Sequence, residues 1–269
     1  MTARPLTFGE VDALGFAAAR GRLDLTRLPA PYAADKLGPL LELVHLAAAG
    51  RLPDPAAGRW LVPNGTAQMV AALLAGDKCW LSSHHRPMGF IRAVRSGPDG
   101  ENRLTAFLMD AQRAARDVAR LRGRAPGQLV AAMEELESNI HEHSKAAHTG
   151  LLAFRAARGV FEFVVADRGI GILTSLQSNA MYTTLLDHGT ALRLALTDGT
   201  SRFGDDKRRG HGFRPIFLGL MDLRGALRFR SGDHALTMDG TSPSLATAEL
   251  AQKTTIDGFL ASICVITQT

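Results

Sequence analysis

The chain has 269 residues, 46% of them hydrophobic and 21% charged, with a formal net charge of +5. That length accommodates two modest domains or one large one with an ample core, and no apolar run approaches the ~20 residues needed to span a bilayer. Lys and Arg are scattered among Asp and Glu, with one short cluster at Lys207–Arg209, which disfavours a nucleic-acid partner, whose reader would interleave a basic face with aromatics.

The N-terminal "MTARPLTFGEVDALGF" lacks the apolar core of a signal peptide. Cys79 and Cys264 lie far apart in apolar settings, which reads as two free, buried thiols in a reducing compartment. A cytoplasmic protein without membrane attachment is expected.

In chain order, "GRLDLTRLP" (Gly21 to Pro29) reads as a strand ending in a turn. "AADKLGPLLELVHLAAAG" reads as a helix stopped by Gly50. "RWLVP" reads as a second strand and "TAQMVAALLAGD" as a second helix stopped by Gly76. This alternation predicts a small α/β domain over residues 1–100. "RSGPDGEN", from Arg95 to Asn102, is the clearest linker signal. "SSHHRP" contains His84 and His85, but Pro87 and Gly89 interrupt helix, so both histidines are placed in a loop.

"RLTAFLMDAQRAARDVARLRG" predicts a helix closed by Gly123 and Pro126. A second helix follows from about Gly127 to Ser144, its apolar stripe being Leu129, Met133, Leu136 and Ile140. "GLLAFRAA" and "GVFEFVVAD" predict a hairpin turning at Arg158 and Gly159. Then come a helix ("LLDHGTALRLALTDG"), a Gly- and charge-rich loop (199–212), and another helix ("FRPIFLGLMDLRG"). The strand candidates "ALRFRSG", "HALTMDG" and "FLASICVITQT" close the chain.

Three segments carry candidate chemistry. In "EELESNIHEHS", Glu135, Asn139 and His143 recur every fourth residue, so they share one helix face beside the apolar stripe. Taken alone, this row reads as a solvated polar stripe, with Glu134 and Glu137 as solvent-facing neighbours. In "VVADRGIGI", a buried strand runs into Asp167, then Gly169 and Gly171 alternate. Glycine there permits close backbone approach to a flat ligand or dihedrals closed to other residues. In "RRGHGFRPIFLGLMDLRG", Gly210 and Gly212 precede a predicted helix N-terminus, a favourable place for phosphate, with Lys207 and Arg209 just upstream. His141, His143 and His148 match no dense metal-ligand spacing.

In this order, with a hairpin between the first two, the segments resemble the GHKL superfamily of gyrase, chaperone, histidine-kinase and mismatch-repair ATPases. The resemblance runs from about Leu104 to Thr269. It implies an α+β architecture over residues 101–269: a two-layer α/β sandwich of the Bergerat ATP-binding type, preceded by the small α/β domain. It also implies ATP and Mg²⁺ as cofactors. Glu135 would be the catalytic base, and Asn139 would ligate Mg²⁺ through its amide oxygen. His143 would stand at the pocket edge, and Asp167 would bind the adenine amine, with Gly169 and Gly171 allowing contact. Lys207, Arg209, Gly210 and Gly212 would hold phosphates. Phe213 and Arg214 stand where the family's second glycine box continues with Gly-Leu, a departure that bears on phosphate grip.

The first hundred residues are similar in pattern to a STAS-type domain, the fold of anti-sigma-factor antagonists. Together these features imply a regulatory phosphotransferase of the anti-sigma serine/histidine-kinase-like type, acting on a protein partner, with homodimerisation compatible. The alternative is a non-catalytic, nucleotide-gated binding module. A gyrase-like ATPase machine would need a transducer domain, and a sensor histidine kinase would need membrane segments and a phosphoacceptor helix.

Overall fold

The structure is a computed structural model that describes residues 3–57, 60–62, 65–93, 98–197, 223–240 and 247–267. It is of mixed α+β class. The N-terminal part alternates short strands with helices: β1 (Arg4–Pro5), α1 (Phe8–Ala19), β2 (Tyr32–Ala33), α2 (Leu37–Ala48), β3 (Leu61–Val62) and α3 (Ala67–Leu74). The three strands pair in parallel in the order β1-β2-β3. Parallel pairing requires crossovers, which α1 and α2 supply. Thr7 caps α1 by accepting the Glu10 N–H at 3.2 Å.

The main sheet has six strands, all antiparallel: β4 (Cys79–Leu81), β5 (Met88–Arg92), β6 (Leu151–Ala157), β7 (Val160–Asp167), β8 (Ala226–Met238) and β9 (Glu249–Ile266). Their order is β4-β5-β6-β7-β9-β8. Two of these strands therefore precede residue 100, and the sheet crosses the expected domain boundary. Helices α4 (Pro98–Arg113) and α5 (Ala125–His143) lie between β5 and β6, while α6 (Gly171–Gln177) and α7 (His188–Thr197) follow β7.

Period-two alternation sends neighbouring residues of one strand to opposite faces, and here both faces are buried. Phe161, Phe163 and Val165 join one core with Phe107, Met133 and Leu136 from α4 and α5. Within it the Phe107 and Phe154 rings sit 5.2 Å apart, and each such buried ring contributes roughly 2–3 kcal/mol. Val164 and Ala166 join a second core with Val11, Leu37 and Leu40 from α1 and α2. The N-terminal segment thus forms a third layer against the sheet, where a two-layer sandwich preceded by a separate domain was expected. An apolar face of the sheet had to be covered, and the N-terminal helices cover it.

The second interface also buries charge. Arg228 and Arg230 alternate with Leu227 and Phe229 along β8, so they point towards α1 and α2. Arg228 donates to Glu42 at 2.8 Å and to Asp12 at 2.6 Å, Arg230 also donates to Glu42, and Lys253 lies 3.0 Å from Asp12. Burial alone would raise the Glu42 carboxyl, but the two guanidiniums outweigh it and hold it below its ordinary value.

Several local expectations change. Residues 25–27 form a 3-10 turn capped by Asp24, where a strand was expected; Asp24 accepts the Thr26 N–H at 3.0 Å, a local bond that competes with pairing. "ALRFRSG" and "HALTMDG" are one strand, bulged at Gly232. Pro126 begins α5 and does not close the helix before it, which ends in a π-turn at Ala114–Val118. Cys79 is exposed and Cys264 partly so, where both were expected buried: Cys79 opens a strand at the sheet edge, and Cys264 lies near the end of β9. No described helix is long and apolar enough to cross a membrane.

Candidate functional site

Helix α5 presents its stripe as expected: Leu129, Met133, Leu136 and Ile140 are all fully buried. Glu135 is exposed, and Asn139 and His143 are partly buried beside the stripe. Glu137 departs from its expected solvent position. It is 1% exposed and accepts from His141 Nε2 at 2.9 Å. It lies one residue after Leu136 on the stripe's flank, and the imidazole one turn on makes burial of its carboxylate tolerable.

The Asn139 side-chain nitrogen is buried without a hydrogen-bond partner among the described residues. A buried amide left unmatched is costly. Because oxygen and nitrogen of an amide exchange by a flip, either atom can occupy that orphan position. A cation or a polar ligand group beside α5 would satisfy it, which fits the Mg²⁺-binding role implied for Asn139.

Asp167 ends β7 and is 5% exposed. Burial raises its carboxyl to about 6, against the opposing pull of the Gly169 N–H, which donates to Oδ1 at 2.7 Å. No described cation pairs with it. A desolvated carboxyl of this kind at a strand end is poised to accept a hydrogen bond from an uncharged N–H donor such as an exocyclic amine.

The turn after Asp167 is joined directly to the end of α5. Ser144, the residue after that helix, accepts the Ile170 N–H at 3.0 Å. Gly169 is pressed so closely on Ser144 that a Cβ would overlap the Ser144 backbone. Gly171 takes φ +73°, and the Ile172 N–H after it donates to Ser231 Oγ at 2.9 Å. Arg168 N–H donates to Thr149 Oγ1 at 2.9 Å. The α5 motif and the Asp167–Gly171 motif are thus brought together, and both glycines have packing reasons within the protein itself.

Ser144, Ser231 and Gly258 had no place among the sequence candidates. Gly258 lies against Asp167: a Cβ there would stand 2.6 Å from Asp167 Oδ1 and 2.6 Å from the Gly169 nitrogen. The "DG" pair Asp257–Gly258 was a visible turn signal inside an otherwise strand-like run. Lys207, Arg209, Gly210 and Gly212 lie outside the described residues, as do Phe213 and Arg214.

Among the described residues, no group of three or more His, Cys, Asp or Glu is placed to hold a metal ion. A cavity of about 510 Å³ lies elsewhere, between α1, the end of α2 and the β8–β9 hairpin. It is lined by Phe16, Arg51, Asp233, Lys253 and Thr254 among others, and by no predicted site residue. Compared with protein-family models, curated proteins and solved structures, the chain matches none.

Proposed function

We propose that the chain binds Mg²⁺–ATP between α5 and the turn after β7, in the manner of the GHKL ATPases it resembles. In this reading it is a cytoplasmic regulatory protein that transfers phosphate to a protein partner. One observation carries the proposal: the Ile170–Ser144 hydrogen bond joins the two motifs that the reading requires at one site. The buried Asp167 carboxyl, paired with no described cation, would then supply an adenine acceptor, and the Asn139 amide, whose nitrogen has no partner among the described residues, would supply a ligand towards Mg²⁺. The element order supports it too, with the α5 motif, hairpin, Asp167 turn and two closing strands in sequence. When bound, Mg²⁺ would neutralise phosphate charge, and Glu135, exposed on α5, would act on an incoming nucleophile.

The test is incubation with γ-labelled ATP and Mg²⁺, using wild type and Glu135→Gln. Label on a protein supports phosphotransfer, and free phosphate supports hydrolysis. The second reading, a nucleotide-gated binding module, is favoured by Phe213 and Arg214 in the second glycine segment. It predicts nucleotide binding with neither product. An Asp167→Ala variant that retained wild-type ATP affinity would sink both.

A further inference from the structure

The C-terminal turn of α2 is hydrogen-bonded to both chain segments that flank Asp167. His45 is 8% exposed, and its Nε2 lies 2.9 Å from the Asp257 carbonyl oxygen. A carbonyl only accepts, so Nε2 carries the proton and donates. Burial pushes the imidazole below its ordinary value, which keeps it neutral with that single N–H. Further along, the Ala48 carbonyl accepts from Arg168 Nη1 at 2.9 Å. Ala48 is among the last residues of α2, whose carbonyls lack partners within the helix, and a cation is favourable there. Arg51 also reaches the Asp257 carboxylate at 2.7 Å, although this pair is exposed and adds little.

Both gripped points adjoin Asp167. Arg168 follows it in the chain, and Asp257 precedes the Gly258 that packs on its carboxyl. The Gly258 carbonyl in turn accepts from Ser231 Oγ at 2.8 Å, and that oxygen accepts the Ile172 N–H at 2.9 Å. A displacement of α2 therefore releases two backbone segments, 167–172 and 257–258, that together shape the environment of the candidate adenine acceptor.

We propose that His45, together with the Arg168–Ala48 bond, makes the end of α2 a positioning element for the nucleotide site. Seating of the N-terminal layer and nucleotide binding are then coupled, each strengthening the other by the same factor. A partner protein that pulled α2 away would expel nucleotide, and bound nucleotide would hold the layer down. The ligand in this proposal rests on the ATP reading, whereas the grip on the two turns does not.

Hydrogen exchange and nucleotide titration on the full chain test the two parts separately. His45→Ala and Arg168→Ala are compared with Val70→Ala, which loosens the same N-terminal core from α3, away from the grip. The Ile170 and Ile172 amides should exchange about tenfold faster in the first two variants and less than about twofold faster in the third. His45→Gln, which keeps an N–H donor, should recover most of the loss. Displacement of a fluorescent adenine nucleotide by ATP should show a parallel weakening of about five- to tenfold, again absent from Val70→Ala. Unchanged exchange in both His45→Ala and Arg168→Ala, or an equal change in Val70→Ala, overturns the positioning role. Faster exchange in His45→Ala and Arg168→Ala, in a protein whose wild type binds no adenine nucleotide, overturns the ATP reading and the coupling and leaves the grip standing.

Discussion

The Ile170 N–H donates to the Ser144 carbonyl, so the turn after β7 is fastened to the residue that ends α5. That fastening depends on Gly169, because no side chain fits between the turn and the Ser144 backbone. Gly169→Ala must push the two apart, and the obstacle is backbone, which cannot rotate away. The expected cost is about 2–3 kcal/mol of stability, read as a lowered urea midpoint with unchanged slope. Gly127→Ala, whose Cβ would meet only the Gln112 amide at 3.8 Å, is the control and should be near neutral.

Asp167 predicts a pH dependence of definite sign. Its carboxyl titrates at about 6 in the folded chain against 3.8 ordinarily, so folding favours the protonated form. The contribution is fully present below the unfolded value and is lost as pH rises through about 6, a change of roughly 3 kcal/mol. Asp167→Asn removes that penalty. Its stability relative to wild type should therefore climb between pH 4 and pH 7 and level off above. Chemical denaturation of both proteins across that range checks it, and a pH-independent difference would refute the burial argument.

The buried charges make the third layer integral to the protein. Glu42 is the shared acceptor of Arg228 and Arg230, all three being almost inaccessible to water. Glu42→Gln leaves two guanidiniums desolvated with Asp12 as the remaining buried acid. Breaking one partner of such a group costs about 3–5 kcal/mol. Thermal melts should show a large fall for Glu42→Gln and a small one for the exposed pair, tested by Arg51→Ala.

Local periodicity made much of this legible. The α5 stripe, the hairpin turning at Gly159 and the helix stop at Gly50 follow from spacing and glycine alone. What escaped depends on contacts between distant segments. Glu137 looks solvent-facing from its own helix, yet it is 1% exposed beside His141, a burial that spacing along the helix does not reveal. The continuity of β8 through Gly232 hides behind a turn-like "SGD", since a bulge and a turn use the same residues. The union of residues 1–77 with the sheet rests on Asp12 and Glu42 finding Arg228 and Arg230 more than 180 residues later. The glycines of "DRGIG" carried a ligand interpretation in sequence, yet Gly169 is also demanded by Ser144. The proposed site thus draws more on the unmatched Asn139 nitrogen and on Asp167, which pairs with no described cation, than on its glycines.

Asn139 separates a site residue from a structural one. Its buried side-chain nitrogen lacks a partner among the described residues, so in the ligand-free protein that donor carries a desolvation penalty with no hydrogen bond to offset it. Asn139→Ala should leave stability within about 1 kcal/mol of wild type, or raise it, which is the reverse of the usual result at a buried hydrogen-bonded amide. Nucleotide binding should respond differently with and without metal. In EDTA, the variant should bind ATP like wild type, because the proposed function assigns adenine recognition to Asp167. On adding Mg²⁺, wild type should tighten and the variant should not. Calorimetric titration in both buffers, beside a denaturation curve, measures all three quantities. A variant that loses stability and still gains affinity from Mg²⁺ would make Asn139 a packing residue and move the metal elsewhere.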